Sequence, residues 1–402
     1  TMKRINILLL IFILAIPLLS SAQDRLSGKT FATRSEVLAR NGMAATNHPL
    51  ATQIAIEILK KGGSAVDAAI AANAFLGFAD PAMNGIGGDL FAIVWDSQSQ
   101  KLYGINASGR SPAALAPDYF KAEKMPRIPA SGPLPVTVPG CVDGWFSLHE
   151  KFGKLPMAQL LSPTISYARE GIPVSQEIAD MMQYLERSLL PSYNLNGDVK
   201  FEDFPEFCKL YRKEDRFPEK GEIYPNPDLA NTLEKISKEG RDAFYKGEIA
   251  ARLAAHIQKL GGFLSEEDLA NHTSEWIEPV STNYRGYDVW ELPPNGQGMA
   301  VLQMLNILEG YDLSKFGFGS TEHIHYFTEA KKLAYADLGR HYGDPDFNTL
   351  PIKDLLSKEY AGQRRKLIRS DQSGNFGPGL TSENHTIYLT TADEDGNMFS
   401  LI

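Results

Sequence analysis

The feature that most constrains the fold is an Ala-rich stretch, "SAVDAAIAANAFLGFAD", from Ser64 to Asp80. It is apolar on nearly every side, which is typical of a helix that is buried on all of its faces. The stretch before it, "LATQIAIEILKKGG", places Ile54, Ile58 and Leu59 on one face and ends in a Gly pair that stops a helix. The chain therefore needs further layers of structure to cover these helices.

Strand-like segments supply such layers. Leu90–Trp95 and Lys101–Ile105 flank a polar turn and predict a β-hairpin. Further along, the pattern predicts mostly helix from Cys141 to about Leu260, interrupted by a surface loop from Leu190 to Pro227. The later segments are a strand-like stretch at Tyr284–Pro294, a long helix within Ser320–Phe347 and a terminal hairpin. Helices before and after several hairpins predict one layered domain of the α/β or α+β class.

The N-terminus has the pattern of a secretory signal peptide. Lys3 and Arg4 precede an apolar run from Ile5 to Leu19, and small residues follow up to Ala22. The run is shorter than the ~20 residues that a membrane span needs, so an uncleaved anchor is the weaker alternative. We therefore expect residues 1–22 to be removed, the protein to be exported to the periplasm or the extracellular space, and no membrane span to remain.

Charge and cysteine content exclude two classes of protein. The formal net charge of -9 gives no basic surface for nucleic acid, so no nucleic-acid partner is expected. Cys141 and Cys208 are too few for a disulfide framework. One bridge between them is possible, but two buried free thiols are the expectation.

Several familiar catalytic motifs are absent or imperfect. "SGKT" at Ser27–Thr30 lacks the first Gly of a phosphate loop, and "GIGGDL" lacks the last Gly of a dinucleotide fingerprint. His323 and His325 are two residues apart, so a helix points them in different directions. The chain has neither H-E-x-x-H nor G-x-S-x-G. No metal or organic cofactor is implied.

The last residues, "HTIYLTTADEDGNMFSLI", predict two strands around Asp395-Gly396, interpreted as a two-residue hairpin turn. Thr386 stands at the head of the first strand. On its own, a Thr in that place is an ordinary strand-forming residue. The rest of the chain gives it a different meaning.

The sequence resembles the γ-glutamyltransferase (glutathione hydrolase) family from about Asn41 to the last residue. The resemblance is carried jointly by seven stretches, which are "GMAATNHPLATQIAIEILKKGGSAVDAAIAA", "NGIGGDLF", "VPGCVDGWFSLHEKFGKLP", "YRGYDVWELPPNGQG", "LNILEGYDL", "EAKKLAYADLGRHYGDPDF" and the terminal stretch. It implies an α+β fold, the four-layer αββα sandwich of the N-terminal-nucleophile hydrolases. It also implies an inactive precursor that cuts itself between His385 and Thr386. Residues 36–385 would then belong to the large subunit and residues 386–402 would begin the small one, so that both subunits come from one precursor.

The chemistry of such a cleavage explains why a Thr is needed. Its hydroxyl attacks the carbonyl of His385, and water hydrolyses the resulting ester. The freed α-amino group of Thr386 has an expected pKa of about 7.7–8.0 and can act as a general base at neutral pH. Nucleophile and base then belong to one residue, and catalysis proceeds through an acyl-enzyme that water or an amine resolves.

The sequence departs from the family pattern at the residue expected to bind the substrate's α-carboxylate. The transferases have an Arg there. An ungapped match on Ser111-Pro112 puts Ser108 at that position, with Arg110 two residues later. A shift of two along a strand keeps the same face, so Arg110 either reaches the carboxylate or forms a structural ion pair.

Three functions follow as hypotheses. The first is a γ-glutamyl hydrolase or transpeptidase acting on glutathione and related γ-glutamyl amides, with water or an amine as acceptor. The second is an acylase of the cephalosporin or glutaryl type in the same family, because the S-G-R-S-P variant resembles that subgroup. The third is a non-catalytic or fragmentary member. The family's small subunit continues far beyond this point, so we expect the chain to be a truncated part of a longer protein.

Overall fold

The structure is a computed structural model that describes residues 36–129, 131–188, 204–213, 216–347, 349–376 and 389–401. Two compact units are distinguished, Thr1–Asn41 and Gly42–Ile402. The first is described only at residues 36–41, which contain no helix or strand. The predicted signal peptide at 1–22, His385 and Thr386 all lie outside the described residues.

The second unit contains all of the described strands. They are β1 (Met43–Ala45), β2 (Leu90–Asp96), β3 (Lys101–Ala107), β4 (Ile172–Pro173), β5 (Ile223–Tyr224), β6 (Glu275–Ile277), β7 (Val280–Tyr284), β8 (Tyr287–Glu291), β9 (Leu389–Ala392) and β10 (Met398–Leu401). Six of them form an antiparallel sheet in the order β1-β9-β10-β2-β3-β6. β4 pairs with β5 and β7 pairs with β8 in two small separate sheets. The two predicted hairpins, β2–β3 and β9–β10, are far apart in sequence but lie side by side in this sheet, where β10 pairs with β2.

The described helices include the predicted ones and several others that the sequence pattern did not predict. They are α1 (Pro49–Lys60), α2 (Ala65–Ala79), α3 (Pro117–Ala122), α4 (Cys141–Phe152), α5 (Met157–Glu170), α6 (Gln176–Ser188), α7 (Pro205–Tyr211), α8 (Pro227–Glu239), α9 (Asp242–Tyr245), α10 (Glu248–Lys259), α11 (Glu266–Ala270), α12 (Gly298–Leu308), α13 (Thr321–His341), α14 (Ile352–Leu355) and α15 (Lys358–Arg365). A short 3₁₀ turn spans Leu313–Lys315. The long helix predicted near the C-terminal end is confirmed as α13.

Helix α2 lies at the centre of the core, as its composition predicts. Every residue of α2 except Gly77 is buried. It packs against β9 and β10 on one side and against α1, α4 and α5 on others. A capping box between Ser64 and Asp67 starts the helix. The Asp67 carboxylate also accepts the backbone N–H groups of Lys154 and Leu155, at 2.8 and 3.0 Å, and so ties α2 to the chain after α4.

The two faces of the sheet differ. Alternate residues such as Leu90, Ala92 and Val94 are buried under the helices. Their neighbours Phe91 and Ile93, which point to the opposite face, are only half-buried. The six-stranded sheet thus has a helical layer on one side. Helices α12, α13 and α15 pack together as a second helical group beside the β7–β8 hairpin.

The terminal hairpin is confirmed, but its turn is longer than predicted. Asp393 N–H donates to the Asn397 carbonyl at 3.1 Å, so the loop is Glu394-Asp395-Gly396 rather than the pair Asp395-Gly396. Gly396 has a φ of 82°, the left-handed conformation that ends a three-residue hairpin loop. The Gly position was therefore right and the loop length wrong.

Two other expectations need correction. The stretch between Leu190 and Pro227 is not only surface loop, because its described part contains α7 and β5 and buries Phe217 and Tyr224. Cys141 and Cys208 are not joined by a disulfide, but only Cys141 is fully buried. Among the described residues, no helix has the length and apolar character needed to cross a membrane.

Candidate active site at one end of the central sheet

The pairing of Leu389, the first residue of β9, shows at which end of the sheet β9 begins. Leu389 follows Thr386 by three residues and pairs with Leu401. Leu401 pairs with Ala92, and Ala92 pairs with Ile105 on β3. β9 therefore begins at the level where β3 ends, one residue before Asn106.

A cleft of about 560 Å³ opens at this end of the sheet. It contains both predicted substrate-binding residues, Ser108 and Arg110, which follow β3 directly. Asn106 on β3 also lines the cleft, and other lining residues come from distant parts of the chain, including His272, Glu275, Asn295 and Asp344. The structure therefore brings Ser108 and Arg110 together in one cleft.

Two glycines explain how the chain after β3 holds its course. A Cβ on Gly109 would lie 1.5 Å from the Val138 carbonyl oxygen, and one on Gly140 would lie 1.9 Å from the Ala107 carbonyl oxygen. Only glycine allows so close an approach of two backbones. Val138 N–H also donates to the Arg110 carbonyl at 3.0 Å, so the backbone just after Gly109 is joined to the segment at Val138.

Ser108 belongs to a closed ring of three side chains. Its Oγ donates to Asn106 Oδ1 at 2.7 Å, Asn106 Nδ2 donates to Asn295 Oδ1 at 2.8 Å, and Asn295 Nδ2 donates to Ser108 Oγ at 3.0 Å. The backbone N–H of Ser108 donates to Asn106 Oδ1 as well, at 3.0 Å. We call these three residues the Asn106–Ser108–Asn295 ring.

Arg110 is surrounded by carboxylates. Its Nη1 donates to Asp344 at 3.0 Å, and its Nη2 donates to Glu275 at 3.0 Å and to Asp346 at 2.8 Å. The hydrogen bond with Asp346 and the nearby negative charges raise the pKa of the Arg110 guanidinium. Its side chain is 53% exposed, so each pair adds little to stability, but together they join three segments of the chain.

Beneath the cleft, the start of α4 is held by a buried polar group. Asp143 N–H donates to the Tyr245 hydroxyl at 3.0 Å, and that hydroxyl donates to the Pro139 carbonyl at 2.7 Å. The Asp143 carboxylate accepts hydrogen bonds from Arg241 Nε, from Ser274 Oγ and from Ser274 N–H. Burial opposes ionisation, but the bonds from Ser274 and Arg241 prevail and lower the pKa of the Asp143 carboxyl.

His272 stacks on the Tyr245 ring beside this group, with centroids 5.5 Å apart. Burial lowers the pKa of its imidazole, which favours the neutral form at pH 7. Its Nε2 lies 4.0 Å from Asp143, too far for a hydrogen bond. No group of three or more His, Cys, Asp or Glu suited to a metal occurs within the described ranges.

Sequence reasoning missed most of the cleft. Asn295 lies in the "PPNGQG" loop, whose Gly and Pro content indicates a loop but no binding role. Asp344 and Asp346 lie in "GDPDF", the end of one stretch that carries the family resemblance, and no binding role was predicted for them. His272 and Asp143 carry no local signal, because their meaning arises from contacts with residues about a hundred or more positions away.

Comparison with known proteins settles the family. The sequence model described as Gamma-glutamyltranspeptidase matches residues 51–402. The chain belongs to the gamma-glutamyltranspeptidase family. The resemblance expected from the sequence motifs is confirmed.

Relatives in the gamma-glutamyltranspeptidase family include two Bacillus subtilis (strain 168) proteins. The chain is 35% identical to the glutathione hydrolase-like YwrD proenzyme, covering 91% of this chain and 67% of that protein. It is 34% identical to a glutathione hydrolase proenzyme, covering 90% of this chain and 64% of that protein. The chain thus spans about two thirds of the length of these relatives.

A solved structure, that of cephalosporin acylase from Bacillus halodurans, matches with a TM-score of 0.80 and 39% identity, covering 94% of this chain and 68% of that one. The predicted α+β fold of the N-terminal-nucleophile hydrolase type is confirmed. The largest sheet of the described residues and the helices on one of its faces are part of this fold.

Proposed function

We propose that the full-length protein is a self-processing amidohydrolase that cleaves γ-glutamyl amides, including glutathione, through an acyl-enzyme on Thr386. The observation that carries this proposal is the position of β9. It begins three residues after Thr386, between β1 and β10, at the end of the sheet where the cleft opens. Family membership and the proenzyme relatives support the same assignment.

The geometry of β9 suits a nucleophile that precedes it by three residues in sequence. Leu389, the first described residue after Thr386, belongs to a strand that pairs with β1 on one side and β10 on the other. Thr391 Oγ1 donates to the Ala65 carbonyl, and Asp393 accepts the Ala65 N–H at 3.2 Å. The hairpin is therefore anchored to the start of the buried helix α2. A rigid strand is the support that precise placement of a nucleophile requires.

In the proposed reaction, the freed amino group of Thr386 takes the proton from its own hydroxyl. The hydroxyl oxygen then attacks the amide carbonyl, and the amine leaves with that proton. Water or an acceptor amine releases the acyl group. The cut between His385 and Thr386 that creates the amino group divides residues 36–385 from the small subunit.

An acylase that removes a different acyl group is the second candidate. It is favoured by Ser108, which stands where the transferases have an Arg, and by the likeness to a cephalosporin acylase. Both candidates use the same Thr386 chemistry and differ in the acyl group that the cleft accepts.

The test compares hydrolysis of γ-glutamyl-p-nitroanilide and glutaryl-p-nitroanilide by the full-length protein. We expect a higher kcat/KM for the γ-glutamyl compound. Turnover of the glutaryl compound alone would establish the acylase instead, and no turnover of either would favour a non-catalytic member.

A further inference from the structure

The contacts of Arg110 show what its guanidinium does. Three carboxylates, Glu275, Asp344 and Asp346, take one hydrogen of Nη1 and both of Nη2. These partners belong to β6 and to the turn after α13, while Arg110 itself follows β3. Arg110 therefore holds three separate segments together along one wall of the cleft.

The charge of this group argues against Arg110 as a binder of a carboxylate. One guanidinium and three carboxylates carry a formal charge of -2. A substrate carboxylate that approached Arg110 would meet this excess negative charge and compete with three hydrogen bonds already made. Only Nε and one Nη1 hydrogen lack a partner among the residues that the structure describes.

The Asn106–Ser108–Asn295 ring offers a different kind of donor. The Ser108 backbone N–H can only donate, so the Asn106 atom that it contacts must be Oδ1. Asn106 Nδ2 then faces Asn295 Oδ1, and Asn295 Nδ2 faces Ser108 Oγ. The direction of all three bonds is fixed by one backbone group, without a choice of amide orientation.

This arrangement leaves hydrogen-bond donors for a ligand. Each side-chain amide has two N–H groups and uses one inside the ring. The second N–H of Asn106 and that of Asn295 have no partner in the described part of the chain. The ring therefore presents two neutral donors beside the cleft, a pattern that suits an acceptor with two oxygens.

The location of the ring relative to β9 suits an acyl group bound at Thr386. Asn106 and Ser108 lie at the end of β3, and three strand spacings separate β3 from β9. At about 4.8 Å each, these amount to ~14 Å. A five-carbon acyl chain can bridge that distance, because the side chain of Thr386 at one end and a side chain of the ring at the other each span part of it.

We infer that the ring binds the carboxylate of an α-amino-acid end group on the acyl chain, and that Arg110 is a positioning residue that does not contact substrate. The inference rests on the proposed function and names the residues that would set its specificity. A zwitterionic end group brings no net charge to the acidic wall, whereas a glutaryl group brings one uncompensated negative charge. The cleft therefore favours γ-glutamyl over glutaryl.

The test uses two substrates that differ in the carboxylate alone, γ-glutamyl-p-nitroanilide and 4-aminobutyryl-p-nitroanilide. Asn295→Ala removes one ring donor, and we expect the KM for the γ-glutamyl compound to rise roughly ten-fold, with little change for the other. Arg110→Gln should reduce kcat/KM for both compounds by the same factor, and Arg110→Lys should restore part of the loss. Arg169→Gln, which removes an exposed ion-paired Arg from α5, is the matched control.

A loss on Arg110→Gln that is confined to the γ-glutamyl compound would overturn the inference, as would equal losses on Asn295→Ala. Calorimetric binding of L-glutamate to the full-length protein gives a readout that needs no turnover. There, Asn295→Ala should weaken binding roughly ten-fold and Arg110→Gln should leave it close to wild type. If none of the amides is cleaved, the proposed function fails, but the binding comparison still decides the role of the ring. Absence of L-glutamate binding to the wild type would contradict the inference.

Discussion

Replacing Asp143 by Asn tests the buried group beneath the cleft. The carboxylate side chain is 5% exposed and accepts from Arg241 Nε and from both donors of Ser274. An Asn amide has one accepting oxygen, so its NH₂ group must face one of these donors. A hydrogen bond to a charged group contributes about 1.5–3 kcal/mol, and Arg241, 24% exposed, loses its buried counter-charge. We expect a loss of about 3 kcal/mol in the free energy of unfolding.

The assay is urea unfolding of the full-length protein at pH 7, with Asp242→Asn as the matched control. Asp242 pairs with the same Arg241 but is exposed to solvent, so its replacement should have no resolvable effect. Equal unfolding midpoints for the two variants, or a midpoint for Asp143→Asn equal to that of the wild type, would refute the reasoning.

The pH dependence gives a second check on Asp143. Its pKa is lower in the folded protein than in the unfolded chain, where it is about 3.9. Its contribution is therefore fully present above about pH 4 and is lost as the pH falls through the folded-state pKa. The difference in stability between wild type and Asp143→Asn should shrink on acidification; a difference that grows below pH 4 would contradict the assignment.

Two further substitutions test the walls of the site. Gly109→Ala places a Cβ 1.5 Å from the Val138 carbonyl oxygen, so the segment must shift and the Tm should fall by several degrees. In the control variant Gly362→Ala on α15, the new Cβ meets nothing within 4 Å, and stability should rise by up to about 1 kcal/mol. Equal Tm values for the two variants would show that the close approach at Gly109 does not constrain the fold. Tyr245→Phe removes the hydroxyl that joins Asp143 N–H to the Pro139 carbonyl and should cost about 1–3 kcal/mol in urea unfolding, a prediction that an unchanged midpoint would contradict.

The sequence predicted those parts of the fold that local pattern determines. Helix α2 was predictable because an apolar residue on every side leaves burial as its stable environment. The β2–β3 and β9–β10 hairpins were predictable from two strand-like runs around a polar turn. The length of the last loop was not, because an Asp-Gly pair fits both a two-residue turn and the end of a three-residue loop.

The site was less predictable, for a physical reason. Ser108 was found because a neighbouring Ser-Pro pair gives its register in the family. Its partner Asn295 is 187 residues away and lies in a loop of ordinary composition. The sequence left open whether Arg110 binds substrate or forms an ion pair. Three carboxylates from two distant segments, which only the fold brings together, supply the ion pairs.

The most direct test of the account concerns Thr386. Full-length wild-type protein, purified and run on a denaturing gel, should give two bands, and N-terminal sequencing of the smaller one should begin at Thr386. Thr386→Ala should remain one uncut band without amidase activity, because it lacks the hydroxyl that attacks the His385 carbonyl. Thr386→Ser keeps a hydroxyl and should still be cut. A single wild-type band that Thr386→Ala leaves unchanged, or a smaller band that begins at another residue, would contradict the central claim.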